Sequence, residues 1–239
     1  MNILVGGYVR AVNFFGLSGK VDVLVPWGGG DWTGSWIGVD TATSRTGFGD
    51  PGVRLSVNFV GAPALRLSEY SGYQQKTIVG ISLRMKVPLG QYDPDKLLNL
   101  GSNRWTIILK GGVSQYLNKW IFEAYLGAWM FTVNNDFYGG NQLKQKPFFT
   151  GVVHLIRILP HNMWLAADAG YGIGGRGNIN GKDKDNRMST IRYGLTYAKA
   201  VKKKHSFKLT IFGTQRFEAG PKFNSLVLSY NYKWNRNKS

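Results

Sequence analysis

The feature that most constrains this chain is a two-residue alternation of apolar and polar side chains, held over segments of about ten residues and repeated along its length. A strand sends successive side chains to opposite faces, so each such segment has one apolar and one polar face. The last segment is the plainest. Leu226, Leu228, Tyr230, Tyr232 and Trp234 share one face, and Ser225, Ser229, Asn231 and Lys233 the other, with Val227 the exception. Val53, Leu55, Val57 and Phe59 alternate with Arg54, Ser56 and Asn58, and Val79, Ile81, Leu83, Met85 and Val87 with Gly80, Ser82, Arg84, Lys86 and Pro88. Further on, Trp105, Ile107, Leu109 and Val113 alternate with Arg104, Thr106, Lys110 and Ser114; Ile191, Tyr193, Leu195 and Tyr197 with Arg192, Gly194, Thr196 and Ala198; and Phe207, Leu209 and Ile211 with Lys208 and Thr210.

Segment length decides what the apolar face meets. Strands of a soluble sandwich average about five or six residues and hide that face against a second sheet. A tilted strand crossing a bilayer needs about nine to eleven. These segments suit the bilayer, so the expected fold is all-β: an antiparallel up-and-down transmembrane β-barrel, one domain over residues 1–239. No run of about 18 apolar residues exists for a membrane-crossing helix. The 32 Gly together with 13 Phe, 12 Tyr and 8 Trp suit tight turns and aromatic girdles, where a helical protein would carry more Ala, Leu and Glu. With no Cys, disulfides and thiolate metal sites are excluded.

Short connectors near Leu17-Ser18-Gly19, Asn118-Lys119, Pro160-His161-Asn162 and Lys202-Lys203-Lys204 alternate with long polar loops at 41–50, 91–103, 134–146, 176–189 and 218–224. This is the rhythm of periplasmic turns and external loops. The stretch 61–75 lies on the turn side yet is long, which predicts a short helix or an ordered loop there. The segments add up to about eleven strands. Single-chain bacterial barrels have even strand numbers, and Met1 opens neither a signal peptide nor an upward strand. The expectation is that a signal and a first strand lie upstream, in a full-length form of about twelve strands.

Several stretches resemble the MetA-pathway phenol-degradation family of outer-membrane transporters. They are Gly47-Phe48-Gly49-Asp50-Pro51-Gly52-Val53-Arg54-Leu55-Ser56-Val57-Asn58, Gly61-Ala62-Pro63-Ala64-Leu65, the specific run from Pro88-Leu89-Gly90-Gln91-Tyr92-Asp93-Pro94-Asp95 through Gly101-Ser102-Asn103-Arg104-Trp105, Asn135-Asp136-Phe137-Tyr138-Gly139-Gly140-Asn141, and Trp164-Leu165-Ala166-Ala167-Asp168. The resemblance covers nearly the whole chain and implies an outer-membrane barrel with an uptake role.

Net charge is +17. On a soluble protein this would suggest nucleic-acid binding, but the bases are spread over many strands and loops instead of forming one stripe, so no nucleic-acid partner is expected. Alternation points Arg54, Arg84, Lys86, Arg104, Lys110, Arg192 and Lys208 into the lumen, with Glu123 and Asp168 as acidic counterparts. Such a lumen favours anions, unless Arg–carboxylate pairs plug it. Asp93 and Asp95 are candidates for a constriction loop in which one of them meets Arg104. External Lys144, Lys146, Arg176, Lys182, Lys184 and Arg187 suit lipopolysaccharide phosphates, and Lys202 to Lys204 suit inner-leaflet headgroups or a periplasmic partner. Leu228, Tyr230, Tyr232 and Trp234 resemble the C-terminal signal read by the barrel-assembly machinery.

Other chemistry is poorly supported. Gly172-Ile173-Gly174-Gly175-Arg176-Gly177 matches GxGxxG, but Asn178, Asn180, Gly181, Asp183 and Asp185 follow it, a loop where dinucleotide binding needs a helix. His154, His161 and His205 have no second ligand at zinc spacing, and His205-Ser206 are neighbours facing opposite ways. Asp31, Asp50, Asp93, Asp95 and Asp136 could ligate calcium but are also ordinary turn formers. No catalytic residue, metal or cofactor is expected. The expected function is an outer-membrane channel or transporter for small anionic or aromatic solutes. The alternative is a structural barrel with a closed lumen whose basic loops dock lipopolysaccharide or a protein.

Overall fold

The computed structural model describes residues 1–36, 39–65, 75–202 and 204–234. Eleven antiparallel strands follow one another in a strongly curled sheet: β1 (Asn2–Phe14), β2 (Leu17–Trp36), β4 (Gly52–Val60), β5 (Thr77–Lys86), β6 (Thr106–Leu117), β7 (Trp120–Phe131), β10 (Phe148–Leu159), β11 (Met163–Gly174), β14 (Met188–Val201), β15 (His205–Arg216) and β16 (Asn224–Tyr232). This matches the strand number and the all-β, up-and-down order expected from the alternation. A twelfth member, β3 (Val39–Phe48), pairs with the outer half of β2, on the flank that β4 occupies lower down. β3 and β4 are thus one strand interrupted at Gly49-Asp50-Pro51, where proline offers no N–H to the ladder.

A second sheet of four short strands is built from two external loops: β8 (Asn134–Phe137), β9 (Asn141–Gln145), β12 (Gly177–Ile179) and β13 (Lys182–Asp183), in the order β13-β12-β9-β8. Nothing in the alternation points to it. Asn180 fastens the two loops, accepting from Gln142 N at 2.7 Å and donating to Asn141 Oδ1 at 2.7 Å. The GxGxxG run leaves the end of β11 and enters β12, so strand pairing and not a helix follows it.

The periplasmic turns are tight. Phe14 pairs with Leu17, and the two residues between them, Phe15 and Gly16, have φ of 52° and 87°. Those left-handed values match the strand twist of a two-residue hairpin. Of the stretch 61–75, residues 61–65 are an ordered loop laid against this turn: Ser18 N donates to Ala62 O at 3.0 Å and Ala64 N to Gly16 O at 2.9 Å. Residues 66–74, where a short helix is the other expectation, lie outside the described residues, as does Lys203 of the lysine turn.

The sheet has almost no core. Among the described residues only Ile108, Ala166 and Ala198 are buried and hydrophobic. Cross-strand partners share a face, and register links Leu83, Leu109, Leu126, Leu155, Leu165, Leu195, Ile211 and Leu228 on one face. All are exposed, up to 78% at Leu228. A continuous exposed apolar band of this size is not a water-facing surface. It is the lipid-facing belt of a membrane barrel. Tyr230 and Tyr232 point the same way near the periplasmic end of β16. Beyond it, Trp234 lies 6.1 Å from Tyr232 and 5.8 Å from Tyr8 of β1, so the two edge strands approach each other there.

The lumen as candidate functional site

The same registers carry the opposite, concave face. Asp22, Arg54 and Arg84 stand side by side on β2, β4 and β5. Ser114, Glu123, His154 and Asp168 form a second row across β6, β7, β10 and β11. Lys86, Lys110, Arg192 and Lys208 fall on this face too, and Arg104 lies just outside it, two residues before the start of β6. The curl brings distant walls together: Lys20 on β2 lies within electrostatic reach of Glu123 on β7, and Lys110 on β6 within reach of Arg192 on β14.

Asp22 is a lumenal acid absent from the sequence-derived set. Its side chain is 1% exposed. Its Oδ2 meets Arg54 Nε at 2.6 Å, and its Oδ1 lies 3.6 Å from Arg84 Nη2. The signal is present in the sequence, since Val21, Val23 and Val25 alternate around it. His154 likewise has partners that the sequence reading does not give it. Register sets it between Glu123 and Asp168, and its Nδ1 contacts Asp168 Oδ1 directly, while Thr196 Oγ1 reaches Asp168 Oδ2 at 3.5 Å. Within this row the contacts run from His154 through Asp168 to Thr196, while the buried Ser114 Oγ has no hydrogen-bond partner among the described residues. Among the described residues, no group of three or more His, Asp or Glu is placed to hold a metal ion.

Several large inward side chains lie flat on neighbouring glycines. A Cβ on Gly127 would stand 2.7 Å from Thr150 Oγ1 and 3.1 Å from Lys110 Cγ, because the lysine stem runs across that glycine. Gly112 sits directly under the Tyr125 ring, and Gly172 under that of Phe148. Tyr125 also lies within electrostatic reach of Glu123 and packs edge-on to His154 at 5.7 Å. Glycine therefore lets bulky groups fold onto the wall instead of projecting across the bore.

At the external mouth, Arg104 stacks on Phe131 with its guanidinium carbon 4.6 Å from the ring centre, and its Nη2 donates to Gln145 Oε1. Lys86 lies 5.8 Å from the centre of the Trp129 ring. The loop between β5 and β6 is pinned from below by Asp50, which accepts from Gly90 N at 3.0 Å, Ser102 N at 2.9 Å and Ser102 Oγ at 2.5 Å. The expected meeting of Asp93 or Asp95 with Arg104 does not form. Asp93 is instead bound within its own loop, with Lys96 Nζ at 2.9 Å and Asp95 N donating at 3.0 Å. Lys96 and the Asp95 amide hold its carboxyl below the usual range. A six-residue bracket with Asn99 (Asp93 N to Asn99 Oδ1, 2.8 Å; Asn99 Nδ2 to Asp93 O, 2.9 Å) keeps this tip self-contained, so its carboxylate is spent locally.

Two of the external bases are paired: Lys146 with Asp183 at 2.8 Å and Arg187 with Glu218 at 3.2 Å. Hydrogen bonds from Asn178 and Lys146 hold the Asp183 carboxyl below the usual range.

A sheet with almost no core among its described residues, a lipid-facing belt on one side and a charged concave face on the other, defines an integral outer-membrane β-barrel protein. The chain belongs to the family described as "Putative MetA-pathway of phenol degradation", whose pattern matches residues 2–234. Its fold is that of an outer-membrane channel from Pseudomonas putida F1, with a TM-score of 0.78 at 21% identity over 96% of this chain and 82% of that one. No curated protein sequence matches the chain.

Proposed function

We propose that this protein is an outer-membrane channel that passes small anionic solutes, aromatic anions among them, through a basic lumen. The observation that carries the reading is the mid-lumen charge balance. Lys20, Arg54, Arg84, Lys110 and Arg192 crowd there, and the acids on the same face are Asp22, Glu123 and Asp168, the last of them in contact with His154. Charges lining a narrow passage set its ion preference, because the low-dielectric walls focus their field. The flattened Tyr125, Lys110 and Phe148 support an open bore over a plugged one. The structurally similar Pseudomonas protein, itself an outer-membrane channel, adds support for the channel role.

The test is the reversal potential of the purified protein in a planar bilayer under a potassium chloride gradient. Anion selectivity is expected. Cation selectivity, or no conductance from protein that migrates as a folded barrel, would remove the reading.

A further inference from the structure

Lys110 is an unusual lysine. Among the described residues it has neither an ion pair nor a hydrogen bond, and the charges acting on it most are Arg84, Arg54 and Arg192. Arg54 is already matched by Asp22 at 2.6 Å. Arg84 holds only the longer 3.6 Å contact to the same carboxylate. Among the described residues Arg192 has no acid partner; its guanidinium carbon lies 3.9 Å from the centre of the Phe212 ring. Register sets Arg84 and Lys110 on one face of adjacent strands, Arg192 reaches Lys110 across the lumen, and no carboxylate is among the charges acting on Lys110.

Two of the three are held in place. The Lys110 stem lies along Gly127, and Arg192 is stacked on Phe212. Ordering long side chains in advance lowers the entropic cost of binding. Like charges held close are unfavourable unless a counter-ion joins them. A singly charged ion can satisfy one such group. An oxyanion with two charges can be shared by groups from two walls.

We propose that Lys110, Arg84 and Arg192 form a binding subsite for small divalent oxyanions within the lumen. This rests on the anion-channel reading above and deepens it. Substrates carrying two negative charges, such as phosphate or a dicarboxylate, dwell at this site during passage, whereas chloride and monocarboxylates pass without stopping.

The probe is the chloride current through single channels, recorded with inorganic phosphate at about pH 8, where it is mainly a dianion, then with succinate, then with acetate. Phosphate and succinate are expected to interrupt the current in a concentration-dependent way, and acetate is not. Lys110→Met and Arg192→Gln are each expected to weaken the interruption about tenfold, the loss of one charge-assisted hydrogen bond. Both variants are checked for heat-modifiable migration, and Lys222→Met, at an exposed lysine with no assigned role, serves as a folded control with unchanged block. Equal effects of acetate and phosphate, or full block in both lumen variants, would overturn the subsite while leaving an anion-selective channel standing. Cation selectivity of the unmodified protein would instead strike the underlying reading.

Discussion

Asp22 on β2 and Arg54 on β4 face each other across the register of the sheet, with Oδ2 and Nε 2.6 Å apart; the carboxylate is enclosed and the guanidinium still reaches the lumen. Removing one member of an enclosed ion pair strands the other. Asp22→Asn keeps the shape and deletes the charge, leaving Arg54 and Arg84 without their shared acid. Because the arginine side chains are 32% and 28% exposed, water offsets part of the loss. The expected cost is about 2 kcal/mol, read as a lower urea midpoint in detergent-supported refolding. The same variant should shift the reversal potential further toward anions. An unchanged midpoint would deny the pair a structural role.

Asp50 should act on a loop and not on the barrel. Its carboxylate receives three hydrogen bonds from Gly90 and Ser102, on the two arms of the loop between β5 and β6. Asp50→Ala leaves those donors unmet, a local loss of about 2 kcal/mol. Trypsin should then cut faster at the exposed Lys96, while heat-modifiable migration stays as it is. Equal cleavage rates in both proteins would show that the loop holds by other contacts.

The contrast between these two aspartates shows what the sequence could reveal. The barrel strands were legible because one property, a period of two, recurs in every strand that meets lipid on one face. That period also marks the inward positions, and Asp22 sits in step between Val21 and Val23. Its partners could not be read, because they depend on register between β2 and β4, which no local pattern states. The same holds for His154, whose neighbours Glu123 and Asp168 come from the strands on either side. The external sheet of β8, β9, β12 and β13 was invisible for a related reason. Its strands are two to five residues long, too short to show a period, and β9 meets β12 across more than thirty residues of chain. Arg104 was assigned an acid by charge alone, yet the fold offers it Phe131 and Gln145.

The external sheet carries a prediction about pH. Asp183 receives hydrogen bonds from Asn178 at 2.7 Å and Lys146 at 2.8 Å, and both favour its ionised form. A carboxyl whose folded value lies below its ordinary 3.8 adds stability above that value and loses it as pH falls through the depressed folded one. The β12–β13 hairpin should therefore keep this support throughout mild acid and lose it only below 3.8. Titration of the aspartate carboxyl carbons by NMR should place the Asp183 midpoint below 3.8, with Asn178→Ala raising it more than Lys146→Met. A midpoint above 3.8 in the unmodified protein would contradict the geometry.

Tyr125 offers a direct test of how glycine keeps the bore open. Its ring covers Gly112 on the neighbouring strand, and its edge meets His154. A methyl group at position 112 has no room beneath the ring, so Gly112→Ala must tilt Tyr125 off the wall and into the lumen. Overpacking of this kind costs about 1 kcal/mol, too little to prevent folding, but the displaced ring narrows the passage. Single-channel conductance should fall in Gly112→Ala and rise in Tyr125→Ala. The double variant decides between mechanisms. If the glycine acts through the ring, Gly112→Ala/Tyr125→Ala should conduct at least as well as the unmodified channel, since the ring is gone and only the Ala124 carbonyl, 2.9 Å from the new methyl, has to give. If the double variant stays as low as Gly112→Ala alone, the glycine matters to the backbone of β6 and the ring does not govern the width of the bore.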